Sequence, residues 1–120
     1  VGGDADLGRY TGFLNVEDAW MHGADLSALS DHLDYHTVIA YEGSREAVLR
    51  RVDSARRLSD DTPVHAGILP GHPAIDERAT VTDVVDGLAA ANVDRVSVYN
   101  YGLLPERNLN WTADAVATHR

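Results

Sequence analysis

The chain has 120 residues, 44% of them hydrophobic and 24% charged, which fits one globular domain with a real core and excludes general disorder. It carries 19 Asp and Glu against 10 basic residues, a formal net charge of −9, and no cysteine. These totals exclude a disulfide framework, a thiolate metal site and a Cys nucleophile, and they weigh against a phosphate-tracking nucleic-acid surface, which needs clustered Lys and Arg.

Every basic residue is Arg, and 14 of the 19 acids are Asp. An Asp-rich, Lys-free surface resembles that of proteins from salt-loving archaea, where charge keeps the chain soluble in concentrated salt. The densest basic run is Arg45, Arg50, Arg51, Arg56 and Arg57. It is interleaved with Glu46 and Asp53 and reads as a solvated helix face. No apolar run approaches the ~18 residues of a membrane span, and the first residues are not a signal peptide. With no cysteine, the expectation is a cytoplasmic protein without a membrane partner. The absent initiator Met suggests trimming, or a piece of a longer chain.

In chain order, residues 1–12 are Gly- and Asp-rich and read as a flexible lead-in to one domain over residues 13–120. Phe13, Leu14, Val16, Ala19, Trp20 and Met21 form an apolar cluster. Leu26, Leu29 and Leu33 then recur at helical spacing behind Asp25, a candidate N-cap. Residues 36–42, HTVIAYE, form a short, mostly apolar run suited to a parallel strand covered on both faces. Ser44 opens a strong amphipathic helix with Val48, Val52, Ala55 and Leu58 on one face.

Pro63 leads a second buried strand, VHAGIL, and PGHPAIDERA is a long loop. Thr80 with Asp83 makes a capping-box-like start to a third helix carrying Val81, Val84, Val85, Leu88 and Ala89. Gly87 is its weak spot and Asn92 its close. RVSVYNY is a third strand, and TADAVATHR, preceded by Leu109 and Trp111, a last helix.

The three strands begin near residues 36, 63 and 95, a repeat of about 30 residues that is the period of βαβ units. The longer, more polar loops follow the strands, at the carboxyl ends where parallel α/β folds bind ligands.

Three segments, HGADLSALSDHLDYHTVIAYE, PVHAGILPG and VTDVVDGLAAANVDRVSVYNYGLL, resemble the carboxyl-terminal βα units of a (β/α)₈ barrel of the glycoside-hydrolase type. The resemblance spans roughly residues 22–120 and implies an α/β fold, a partial barrel with about three parallel strands. It also implies a pocket for carbohydrate hydrolysis or binding. Three strands cannot close such a barrel. The missing units would therefore lie in a longer chain or be replaced by other copies in a homo-oligomer. A small flavodoxin-like sandwich is the other fold, and it needs about five strands.

The polar groups at the assigned strand ends are Tyr41 and Glu42, then His65, then Tyr99, Asn100 and Tyr101. Glu42 is the best-placed catalytic carboxylate for a reaction that uses two, and Asp76 and Glu77 are loop candidates for the second. It is also read as an acid favoured by the dipole of the following helix, the more ordinary role for a carboxylate beside Gly43 and Ser44. Tyr41, His65, Tyr99, Asn100 and Tyr101 are the candidate substrate-binding residues, the tyrosines suiting a sugar's C–H face. His22, His32, His36, His65 and His72 are numerous, but none shows metal-ligand spacing. P-loop, dinucleotide and nucleophile-elbow motifs are absent, so no cofactor is expected. The second functional class is a non-catalytic, oligomeric α/β module.

Overall fold

A computed structural model describes residues 8–11, 32–59 and 61–119. Among these residues four parallel strands lie in a single sheet: β1 (Gly8–Thr11), β2 (Tyr35–Ala40), β3 (Val64–Ile68) and β4 (Val96–Val98), in the order β1-β2-β3-β4. Among the described residues three α-helices follow β2, β3 and β4 in turn: α1 (Arg45–Leu58), α2 (Arg78–Ala90) and α3 (Glu106–Ala117). The α/β class and the parallel sheet are as the sequence predicts, with one more strand. Gly8–Thr11 falls in the expected lead-in, and it pairs along its length with Tyr35 to Val38. Four residues carry too little pattern to announce a strand; pairing with β2 decides it. The predicted apolar cluster at Phe13 to Met21 and the helix behind Asp25 lie outside the described residues, apart from Leu33.

The core lies between the sheet and one helical layer. Val48, Val52 and Ala55 of α1, with Val84 and Leu88 of α2, pack on Val38, Ala40, Val64, Ala66 and Ile68. Helix α3 lies beside α2, tied to it by Arg78 to Asp114 and by Asp86 Oδ1 to His119 Nε2 at 2.6 Å. All three helices therefore sit on the same side of the sheet.

Local chemistry explains most boundaries. Ser44 is extended, and its side chain accepts the Ala47 N–H, so α1 begins where predicted. Glu46 in the first turn and Arg56 and Arg57 in the last complement the helix dipole. Asn92, at φ 58°, closes α2. The Asn92 N–H reaches the Ala89 carbonyl and the Val93 N–H the Leu88 carbonyl, a Schellman closure with Leu88 and Val93 both in the core.

Three boundaries differ from expectation. Helix α2 starts two residues before Thr80, with extended Glu77 as its N-cap, so Thr80 sits in the first turn and does not cap it. Helix α3 starts behind Pro105, taking in Leu109 and Trp111, because a proline is pre-set to precede a helix and cannot continue one from upstream. Strand β4 stops at Val98. Tyr99 still donates its N–H to the Ile68 carbonyl, but the chain then turns through a cis Tyr99–Asn100 peptide into a short 3₁₀ helix, Tyr101–Leu103.

Gly87 is not the weak spot its helical position suggests. A Cβ there would stand 2.9 Å from both Cγ and Nε of Arg45, whose stem crosses α2 at this point. An alanine normally gains about 0.5–1 kcal/mol over glycine in a helix interior. Urea unfolding should show little or none of that gain for Gly87→Ala, and recover it in an Arg45→Ala background; equal effects in both would dissociate the glycine from Arg45. Leu88→Ala, at a side chain 1% exposed, should cost about 2–5 kcal/mol in the same assay.

Candidate functional site

Alternation along each strand sorts the candidate residues between two faces. On β2, His36, Val38 and Ala40 point to the helices, so Tyr35, Thr37, Ile39 and Tyr41 belong to the other face. On β3, His65 and Gly67 share that face. Ring contacts bear this out. Tyr35 stacks on His65 with centroids 4.7 Å apart, and Tyr41 stacks on Tyr99 at 4.8 Å with the planes 19° apart. Gly67 lies under the Tyr41 ring, where a Cβ would come within 3.5 Å of it.

The two stacks occupy different depths. Tyr35 and His65 stand near the amino ends of their strands, whereas Tyr41 and Tyr99 stand just past the carboxyl ends of β2 and β4. His65 is 8% exposed and lies four residues before Leu69, about 13 Å down the sheet from the rim at strand rise. It shares a face with the tyrosines but is not at the carboxyl-end rim where the sequence reading placed it.

Glu42 goes the other way. It continues the helix-facing alternation, and a turn in which its N–H reaches the Ala40 carbonyl ends the strand there. Its Oε1 accepts from Arg51 Nε at 2.8 Å and Nη2 at 2.5 Å, both side chains being largely buried. The carboxylate is thereby committed to α1, beneath the loop after β3 and beside Ile68, Pro70 and Ile75. Arg51 belonged to a run read as solvated; its position opposite Glu42 depends on how α1 lies on β2, which the run itself does not encode.

An open cleft of about 290 Å³ lies at the carboxyl rim, between the loops that follow β3 and β4. Leu69, Gly71, Tyr99, Asn100, Leu103 and Leu104 line it. Tyr99 is 49% and Leu103 81% exposed, the two large apolar side chains most open to solvent among the described residues. Tyr101 begins the 3₁₀ turn, and its side chain lies outside the described residues. Asp76 and Glu77 are exposed in the loop before α2.

A residue that sequence reasoning missed holds this rim together. Asn108, 2% exposed in the first turns of α3, donates from Nδ2 to the Pro70 carbonyl at 2.7 Å. Its Oδ1 accepts from Arg107 Nε at 3.1 Å, while Arg107 lies over the Trp111 ring at 5.4 Å. One buried amide thus pins the β3 loop to the helix after β4. The only signal in the sequence is an amide directly before Leu109, which resembles any solvated helix position.

No group of three or more His, Cys, Asp or Glu that could hold a metal ion occurs among the described residues, and none of their helices is long and apolar enough to cross a membrane. No family model, curated protein or solved structure matches the chain, so the geometry carries the functional argument.

Three substitutions, two of them also combined, test these supports. Asn108→Ala leaves a buried carbonyl without its donor and should cost about 1–3 kcal/mol in urea unfolding, with loss of NMR shift dispersion around Pro70 to His72. Glu42→Leu and Arg51→Leu should each destabilise by roughly 1–3 kcal/mol, and the double variant by less than the sum, because each single change strands one partly buried charge. Additive costs would show that the pair carries no coupling.

Proposed function

We propose that this chain is part of a (β/α)₈-type barrel and that its carboxyl-end rim binds carbohydrate. The observation that carries the architecture is the strand order. In a doubly wound sheet the order reverses, which sends helices to both faces. Here it runs β1-β2-β3-β4 without reversal, and the helices occupy one face. A sheet built that way buries its second face by curling on itself, and four further strands bring the count to the eight that a filled barrel uses. They can come from the same polypeptide or from another copy.

The carbohydrate reading rests on the Tyr41–Tyr99 stack. It is an aromatic platform at the carboxyl rim, half exposed at Tyr99, beside the Asn100 amide and the open cleft. Pyranose rings pair a C–H face with hydroxyls, which such a platform and amide complement. The resemblance to glycoside hydrolases points the same way. Binding is the better-supported half of that resemblance, because hydrolysis needs two carboxyl groups about 5–10 Å apart across the scissile bond. Glu42 is held by Arg51 on the helical side. In a barrel reading, catalytic carboxylates therefore come from the complementary strands.

Titration with a panel of neutral oligosaccharides, followed by tyrosine fluorescence and NMR, tests the reading. Binding should weaken tenfold or more in Tyr99→Ala, equivalent to about 1.4 kcal/mol, and stay within twofold in Tyr35→Phe, which keeps the amino-end stack. Affinity that ignores Tyr99, or no binding by any sugar, would remove the carbohydrate assignment.

A further inference from the structure

The loop that joins β3 to α2 supplies one wall of the rim cleft, through Leu69 and Gly71. Two of its points are fixed. The Pro70 carbonyl takes the Asn108 amide, and Ile75 is buried alongside Val81 and Val84. Between them stands His72. Its backbone N–H reaches the Leu69 carbonyl at 3.0 Å, and its carbonyl accepts the Ile75 N–H at 2.8 Å. Its ring Nδ1 accepts the Ala74 N–H at 3.0 Å, the first amide available after His72, because Pro73 has none. The same ring edge lies over Gly43, just past the end of β2. A Cβ on Gly43 would stand 2.9 Å from His72 Nδ1 and 2.6 Å from the Ala74 Cβ, so the loop seats directly on a residue without a side chain.

We infer that His72 is a proton-sensitive latch for this loop. Neutral imidazole has one acceptor nitrogen, and accepting at Nδ1 puts the ring's own proton on Nε2. Imidazolium has two donors and no acceptor, so a second proton sets an N–H against the Ala74 N–H. Turning the ring over does not restore the bond, because a C–H edge then faces the amide. Imidazole is the side chain whose charge ordinarily changes between about pH 5 and 8. The loop is therefore held on Gly43 while His72 is neutral, at the higher pH, and released as pH falls. The wall formed by Leu69 and Gly71 moves with it. The inference adds regulation to the proposed rim site and rests on that reading only for its purpose, since the latch works without a ligand.

The charged groups on the neighbouring segments are engaged elsewhere or face solvent. On the turn after β2, Glu42 is taken up by Arg51, and the Arg45 stem lies across α2 at Gly87. On α3, Arg107 is held by Asn108 and lies over Trp111, and Glu106 is exposed. Asp76 and Glu77 are exposed further along the loop, and Arg78 meets Asp114. Among the described residues none of these forms an ion pair with His72, so none supplies a fixed partner for the charged ring.

NMR titration of the chain without ligand, between about pH 8 and pH 5, tests the latch. The Ala74 amide and the His72 ring protons should follow one curve, and the amides of Gly43, Leu69 and Gly71 should move with them. Exchange at the Ala74 amide, corrected for its intrinsic rate, should quicken roughly two- to tenfold along that curve, the factor expected for one hydrogen bond. His72→Asn keeps a side-chain acceptor two residues before that amide but cannot take up a proton. Its loop should stay ordered and lose the pH response. The variant retains His36, His65 and His119, so their own titrations persist in it and can be subtracted. Gly43→Ala should displace the loop at every pH, because the new Cβ meets the Ala74 Cβ. An Ala74 amide that ignores the His72 curve, or an unchanged response in His72→Asn, overturns the inference. A titrating loop on a chain that binds no sugar keeps the latch and removes the carbohydrate reading; sugar binding through Tyr99 beside a loop indifferent to pH does the reverse.

Discussion

A parallel strand pair joined through a helix has a fixed hand, and this constraint organises the molecule. Where successive crossovers keep advancing in one direction, as they do from β2 to β4, the helices land on the same side of the sheet. One face is then packed by Val48, Val52, Val84 and Leu88, and the other is left to Tyr35, Thr37, His65, Tyr41 and Tyr99. The aromatic stacks and the location of the rim follow from that asymmetry.

The same asymmetry gives neighbouring residues different surroundings. On β2, one residue of displacement moves a side chain from the core to the opposite face, so neighbours Tyr41 and Glu42 have unrelated surroundings. Tyr41 lies over Gly67 and against Tyr99. Glu42 turns inward to Arg51 and fastens α1 to the end of β2. Its acidity serves the helix layer, and the rim is left with aromatic and amide groups.

Cohesion at the rim comes from few contacts. Asn108 reaches across from α3 to the Pro70 carbonyl, and Arg78 to Asp114 and Asp86 to His119 hold α2 and α3 side by side. These two contacts are exposed and contribute little individually. The buried amide is different, because its loss leaves a carbonyl that water cannot reach. The loops after β3 and β4 thus border an open cleft and are tied to the helical layer through Asn108.

The sequence by itself determined the α/β class, the βα period, and the bodies of three strands and α1 and α2. Those features are written in local terms: β-branched runs, the Val48, Val52, Ala55 spacing, Ser44 before a helix and Asn92 after one. The tertiary structure alone decided that Gly8–Thr11 is a strand, that His65 lies deep and Tyr99 at the rim, that Glu42 meets Arg51, and that Asn108 meets Pro70. Those pairings join residues 9 to 38 positions apart or depend on strand register. A short window of sequence records which conformation is cheap for each residue. It holds no record of which distant group will stand opposite once register and crossover have placed the elements.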